Sequence, residues 1–155
     1  MLILLDIDGV MVPAKSWSSP PMNDDGFYLF KDSAVIALNE IISQSGANIL
    51  LTTSHKSSFT LKKWKTLFKN RGIAAKSIDR LPDNTNHLNR LEEITNWFES
   101  KKEAEDFVII DDDKTLNNLP LGLKEKLVQT KPLVGLTSVH VEDSLRILGI
   151  PLQLA

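Results

Sequence analysis

The chain has 155 residues, a length typical of one compact domain, and 42% of its residues are hydrophobic and 25% are charged. These values exclude a wholly disordered chain, and a net charge of −2 at pH 7 excludes a uniformly basic nucleic-acid binder. Cysteine is absent, which excludes disulfides, thiolate metal ligands and a cysteine nucleophile. We expect a single domain over residues 1–155.

The pattern of apolar residues predicts strands and helices in alternation. In chain order the predicted elements are a strand at 2–5, an irregular flap at 10–31, a helix from 32 or 33 to about 46, a strand at 47–51, a helix at 58–71, a weak strand at 73–78, a helix opening at Asn89, strands at 107–110 and 127–130, and a helix at 139–148. Asp32 or Ser33 is expected to cap the first helix, which ends at Gly46. Asn89 and Glu92 predict a capping box. The alternation predicts an α/β fold: a doubly wound, mainly parallel sheet flanked by helices.

The apolar runs are too short for a membrane span. The run at the N terminus is interrupted by an acid after five residues, whereas a signal peptide needs a basic start and a longer apolar run. We therefore expect a soluble cytoplasmic protein that has no membrane partner.

Polar residues follow three of the predicted strands, at the point where each strand ends. They are Asp6 and Asp8, Thr52 and Thr53, and Asp111 and Asp112. Because ligands of open α/β sheets bind outside the carboxyl ends of the strands, these residues are expected to share one crevice. Clustered carboxylates repel one another unless a cation is present, and oxygen ligands favour Mg²⁺. A Mg²⁺-bound phosphate beside an ionised aspartate is an arrangement for phosphoryl transfer.

These motifs resemble those of the haloacid dehalogenase (HAD) superfamily of phosphatases. Its first motif, an apolar strand followed by Asp-x-Asp-Gly, is similar to residues 2–10. Its second motif, a strand that ends in Ser or Thr, is similar to 49–52, and its fourth, a strand that ends in paired acids, is similar to 107–112. The resemblance covers nearly the whole chain, in the family's order.

The third motif of the family is a basic residue upstream of the fourth, and Arg90 occupies a similar place. Lys56 and Lys76 remain alternatives for this role. The chain resembles small capless members, because the 46 residues from Asp6 to Thr52 and the 38 from Thr52 to Arg90 leave no room for a separate cap domain.

The resemblance implies a role for each of these positions. Asp6 would attack phosphorus, and Asp8 would act as general acid and then as general base. The phosphoryl group would be bound by Thr52, by Arg90 and by backbone groups that include the N–H of Thr53. The residues expected to hold Mg²⁺ are Asp6, Asp8, Asp111 and Asp112, with Asp111 as a direct ligand or as a partner of one.

The expected function is that of a Mg²⁺-dependent phosphatase, a phosphoric monoester hydrolase that forms an aspartyl-phosphate. An open site fits a bulky or macromolecular phosphorylated substrate. One alternative is a catalytically weak module that binds phosphate and metal, and the other is a phosphatase that processes nucleic-acid ends. The basic segment 56–71, which contains six Lys and Arg residues and no acid, is either a solvated helix face or a surface for nucleic acid. His55 is interpreted either as a substrate contact or as a loop histidine facing solvent.

Overall fold

The computed structural model describes residues 1–151, so the last four residues of the predicted domain lie outside it. Its regular elements are β1 (Leu2–Leu5), α1 (Asp32–Ser45), β2 (Asn48–Leu51), α2 (Leu61–Asn70), β3 (Ile78–Arg80), α3 (Arg90–Ser100), β4 (Phe107–Asp111), α4 (Leu121–Lys124), β5 (Leu127–Gln129) and α5 (Val141–Ile147). Short 3₁₀ turns precede α2, α4 and α5 at Ser54–Ser58, Lys114–Asn118 and Ser138–His140. No helix among the described residues has both the length and the apolar character that a bilayer crossing requires.

The five strands form one sheet in the order β3-β2-β1-β4-β5, and every neighbouring pair is parallel. Leu5 of β1 is in register with Leu51 of β2 and Ile110 of β4. The predicted α/β class and parallel sheet are therefore confirmed, and residues 1–151 contain no separate cap domain. The chain reverses its direction of winding between β1 and β4, which is where open sheets of this kind bind their ligands.

Two hydrophobic clusters cover the two faces of the sheet. Leu5, Leu51 and Ile110 belong to the larger cluster, which includes apolar residues of α1, α2 and α5. Leu4 belongs to the smaller cluster, to which α3 contributes Ile94 and α4 contributes Leu123. Because side chains alternate between the faces of a strand, Asp6, which directly follows Leu5 at the end of β1, must face the α3 side.

Residues 10–31 form the predicted irregular flap, and a buried ion pair ties it to α2. Arg71 donates to both carboxylate oxygens of Asp25, with N···O distances of 2.6 and 2.9 Å. Its Nε donates to the carbonyl of Tyr28 at 2.8 Å, and its guanidinium lies 5.0 Å from the ring centre of Phe30. The side chains of Arg71 and Asp25 are only 3% and 9% exposed. The second half of the flap, residues 25–30, is therefore held against the rest of the domain.

Several predicted helix ends are wrong by a few residues. The N-cap of α1 is Lys31, which makes no side-chain capping bond, so neither Asp32 nor Ser33 is the cap; Asp32 is instead the first helical residue. There its negative charge favours the positive end of the helix dipole. The second helix begins at Leu61, after the cap Thr60, because the preceding residues form a 3₁₀ turn.

Other predicted boundaries are confirmed or shifted. Asn89 and Glu92 form the predicted capping box at the start of α3, and Gly46 ends α1 in the left-handed conformation with φ of 69°. The third strand lies at Ile78–Arg80 rather than at 73–78. Of residues 73–77, Ser77 bonds to β2, since its carbonyl accepts from the amide of Ile49, whereas the amide of Ala74 donates to the side chain of Asn39.

Candidate active site

The candidate site lies at the carboxyl ends of the three central strands. Asp6, Thr52 and Asp111 each follow one of the aligned residues in β1, β2 and β4, so they occupy the same level of the sheet. The amide of Asp6 donates to Ile110 and that of Thr52 to Leu5, which continues the sheet hydrogen bonding by one step. The alternation of side chains directs all three toward the α3 side. The predicted convergence of strand ends is therefore present.

Arg90 reaches the site from the first turn of α3. The capping box at Asn89 fixes where this helix begins, and with it the position of the arginine. The Arg90 Nη1 lies 2.6 Å from Asp111 Oδ2 and 3.4 Å from Asp6 Oδ1. Burial lowers the pKa of the guanidinium, but the charges of Asp6 and Asp111 outweigh burial and raise that pKa above its ordinary value. The side chain is a permanent cation between the two carboxylates.

Among the described residues, neither Lys56 nor Lys76, the alternatives for this role, forms a salt bridge with Asp6, Asp111 or Asp112, although Lys56 lines the same polar cleft as Arg90. The Lys56 side chain is 3% exposed, and its Nζ forms an ion pair with Glu93 Oε2 at 2.8 Å. Lys76 is exposed and precedes β3, so it lies toward the amino ends of the strands, away from the site. The structure brings Arg90, and neither lysine, to the carboxylates.

Three carboxylates share the crevice. Asp6, Asp111 and Asp112 each offer an oxygen, and these oxygens lie within 4.8 Å of one another. Burial raises the pKa of Asp6 to about 6, while burial and the neighbouring Asp6 raise the pKa of Asp111 to about 7. Burial also raises the pKa of Asp112. One arginine does not balance three clustered carboxylates, of which Asp6 and Asp111 are buried, so the site has the charge and the donor atoms for an added cation.

The two paired acids differ in their partners. Asp111 accepts from Arg90 through Oδ2 and from the amide of Asp113 through Oδ1, at 2.6 and 3.0 Å. Among the described residues, Asp112 makes no hydrogen bond to Arg90 or to the backbone amide of another residue, and it is partly exposed. Asp111 therefore holds the arginine in place, and Asp112 is the freer ligand for a cation.

The turn after β1 packs tightly against the paired acids. Gly9 has φ of +79°, and a side chain there would overlap the Asp112 carboxylate. The carbonyl of Gly9 accepts from Thr130 Oγ1 at 2.7 Å. Gly135, with φ of +78°, lies against the carbonyl of Val10, where a side chain would also overlap. Thr130 was not predicted as part of the site, although it is another polar residue just after a strand.

Thr52 and Thr53 differ in how their hydroxyls are used. Thr52 is fully buried, and its Oγ1 has no hydrogen-bond partner among the described residues. Thr53 Oγ1 accepts from the amide of His55 at 3.2 Å and caps the following 3₁₀ turn. A buried hydroxyl without a partner is costly, so Thr52 offers a donor for an absent ligand. The hydroxyl of Thr53 is already engaged by the protein.

Asp8 lies outside the group of three carboxylates. Its carboxylate is 45% exposed, and Oδ2 lies 2.8 Å from His55 Nε2. This hydrogen bond raises the pKa of His55. The structure thus brings Asp6, Thr52, Arg90 and the paired acids together. Asp8 lies beside them and is hydrogen-bonded to His55.

A polar cleft of about 350 Å³ opens beside Arg90. Its lining includes Ser54, Ser57, Asn84 and Asp113. The cleft gives a bulky ligand access to the arginine from the surface.

A parallel sheet of this order, with acids after β1 and β4, a threonine after β2 and an arginine from α3, defines a domain of the HAD superfamily. Residues 2–141 match the model of a family described as the HAD domain in Swiss Army Knife RNA repair proteins, and the chain belongs to that family. No curated protein matches the chain. Membership of the family supports a hydrolase or phosphatase type of activity in general.

Proposed function

We propose that this domain is a Mg²⁺-dependent phosphatase that removes a terminal phosphate from RNA through an aspartyl-phosphate on Asp6. The observation that carries the proposal is the buried Thr52 hydroxyl, which lacks a partner at the same sheet level as Asp6. A phosphoryl oxygen would accept its hydrogen bond. The neighbouring Arg90 adds a permanent cation for the same group.

The donor set fits Mg²⁺. All three candidate ligands are carboxylates, which are the hard oxygen donors that Mg²⁺ prefers, and burial raises the pKa of Asp6 and Asp111, which a bound cation would offset. We assign Asp6 and Asp112 as direct ligands and Asp111 as a ligand that also holds Arg90. A bound Mg²⁺ would neutralise charge on the phosphoryl oxygens and favour the ionised form of Asp6. The exposed Asp8 carboxylate is assigned to proton transfer, although the sequence also suggested it as a ligand.

The proposed reaction has two steps, each using a different aspartate. In the first, Asp6 Oδ bonds to phosphorus, the bond to the leaving oxygen breaks, and Asp8 gives that oxygen its proton. Asp8 then takes a proton from a water molecule, which attacks phosphorus and breaks the acyl-phosphate bond. Orthophosphate leaves and both aspartates are regenerated. Thr52 and Arg90 hold the phosphoryl oxygens in both steps.

An RNA end is the substrate class that the family description and the charge pattern favour. Within the basic segment 56–71, Lys56 and Arg71 are neutralised by buried acids. Lys62, Lys65 and Lys69 are exposed and form no salt bridge with the described residues. They are spaced three and four residues apart, so they form a stripe along one side of α2. This helix starts at the carboxyl end of the sheet, so the stripe leads away from the site along a path suited to a phosphodiester backbone.

The first experiment measures hydrolysis of para-nitrophenyl phosphate with Mg²⁺ and with EDTA. We expect turnover in the wild type that EDTA abolishes and that Asp6→Asn reduces by at least about 10³-fold, because the nucleophile is lost. Asp24→Asn, which changes an exposed acid of the flap, is the matched control. A wild type that binds Mg²⁺ and phosphate without turnover would instead establish the weak binding module. Turnover that survives in Asp6→Asn would disprove the assigned nucleophile.

A second experiment tests the substrate class with oligoribonucleotides that carry a 3′- or a 5′-phosphate. If RNA lies along α2, replacing Lys62, Lys65 and Lys69 by Gln should raise KM and reduce the slope of log KM against log salt by about 3 × 0.7 for a single strand. Hydrolysis of para-nitrophenyl phosphate should not change in this triple variant. An unchanged slope would reject the stripe as the RNA surface.

A further inference from the structure

The contact between Asp8 and His55 is used by no step described above. His55 lies in the 3₁₀ turn after β2, and its Nε2 is 2.8 Å from Asp8 Oδ2. No other hydrogen bond joins the Asp8 carboxylate to residues 1–151. Because nearly half of that carboxylate is exposed, the imidazole is the contact that limits its rotation.

The His55 ring is itself held on several sides. Its backbone amide donates to Thr53 Oγ1 at 3.2 Å, which fixes the turn that carries it. Its ring packs edge to face against Phe27 and Tyr28, with ring centres 5.5 and 5.8 Å away. Both aromatic residues belong to the flap, which Arg71 anchors through the carbonyl of Tyr28. Edge-to-face packing of this kind restricts the orientation of the ring.

We propose that His55 is a positioning residue for the general acid, and that the flap residues Phe27 and Tyr28 fix its orientation. In the tautomer that we assign, His55 Nε2 carries the proton and donates to Asp8 Oδ2, so Oδ1 is the oxygen left to carry the proton toward the leaving group. The inference rests on the proposed role of Asp8 as general acid and assigns the residues that orient its carboxyl group. The flap would then contribute to catalysis as well as cover the core.

The expected signature is a dependence on the leaving group. A good leaving group such as para-nitrophenolate departs with little help from an acid, whereas phenolate needs protonation. If the Asp8 carboxyl group is no longer held in its orientation, hydrolysis of phenyl phosphate should therefore slow much more than hydrolysis of para-nitrophenyl phosphate. The two esters are similar in size, so binding differences contribute little.

The decisive variant is His55→Phe, which keeps an aromatic ring against Phe27 and Tyr28 but lacks the N–H donor. We expect kcat for phenyl phosphate to fall by about 10²-fold and kcat for para-nitrophenyl phosphate by less than about threefold. His55→Gln retains an amide donor and should recover most of the loss. In an Asp8→Ala background, His55→Phe should have no further effect, because the two residues act as one unit.

Phe59→Leu is the structural control, since Phe59 also packs on Phe27, with ring centres 5.7 Å apart, but has no hydrogen-bond donor to offer Asp8. It should lower stability without changing the ratio of the two rates. Equal losses on both esters in His55→Phe, or the same ratio change in Phe59→Leu, would overturn the positioning role and leave the phosphatase intact. No Asp6-dependent turnover of either ester in the wild type would overturn the proposed function and the role of His55 with it.

Discussion

Replacing Thr52 by Val is expected to make the protein more stable and less active. Valine has nearly the same shape as threonine, and the hydroxyl it removes is fully buried without a hydrogen-bond partner among the described residues. Burying an unpaired hydroxyl costs about 1–3 kcal/mol. We therefore expect Thr52→Val to raise the free energy of unfolding by about 1–2 kcal/mol, which corresponds to a rise in Tm of about 2–8 °C for a domain of this size.

Thr53→Val provides a matched comparison one residue away. Thr53 is equally buried, but its hydroxyl accepts from the amide of His55 and caps a 3₁₀ turn. Losing this cap should lower the free energy of unfolding by about 1 kcal/mol. The two variants make the same chemical change in adjacent buried residues, and we expect stability effects of opposite sign.

Urea unfolding followed by tryptophan fluorescence measures both variants, first without ligand and then with orthophosphate and Mg²⁺. Ligand should stabilise the wild type, and Thr52→Val should lose most of that gain and about 10²-fold in kcat, the effect of removing one donor to a phosphoryl oxygen. A loss of more than about 1 kcal/mol in ligand-free Thr52→Val would show that the hydroxyl is satisfied within the protein, and the reasoning would be refuted.

Three further predictions concern the flap and the turn after β1. Arg71→Ala breaks the buried pair with Asp25 and should cost about 3 kcal/mol in urea unfolding; a loss below about 1 kcal/mol would mean that the flap is not held by it. The hydrogen bonds from the Arg71 guanidinium hold the pKa of Asp25 below its usual range in the folded state. As pH falls below about 4, Asp25 is therefore protonated in the unfolded state before it is protonated in the folded state, and the stabilisation by the ion pair is lost. The stability difference between wild type and Asp25→Asn should accordingly shrink from pH 5 to lower pH, and a constant difference would contradict it. Gly9→Ala should lower Tm more than Gly26→Ala, because both have positive φ but only Gly9 lies against another side chain, the Asp112 carboxylate; equal shifts would exclude the overlap.

The parts of the fold that local pattern controls could be predicted from the sequence. The apolar runs of β1 and β4 are buried on both faces and end at acids, so both the strands and the shared edge of the sheet follow from the order of residues. The same reasoning placed Asp6, Thr52 and Asp111 at one edge. Arg90 was assigned from the resemblance to the family's third motif, and the capping box at Asn89 predicted the start of the helix that carries it.

Contacts between distant residues could not be predicted in this way. Thr130 is 121 residues from Gly9, His55 is 47 from Asp8, and Arg71 is 46 from Asp25. Such pairs depend on how flap, turn and helix pack in three dimensions, and no periodic pattern encodes them. The six cations of segment 56–71 are visible in the sequence, but two of them are neutralised by acids remote in sequence, which the sequence does not show.

The charges of the site determine how phosphate must be tested. With Asp6, Asp111 and Asp112 ionised, Arg90 leaves a local charge of −2, and a phosphate dianion entering such a site is repelled. Burial raises the pKa of Asp111 to about 7, and repulsion by the neighbouring Asp6 carboxylate contributes to this rise. A divalent cation cancels the excess. Orthophosphate should therefore stabilise the wild type only when Mg²⁺ is also present, and equal stabilisation in EDTA would contradict the charge argument that assigns the cation to this crevice.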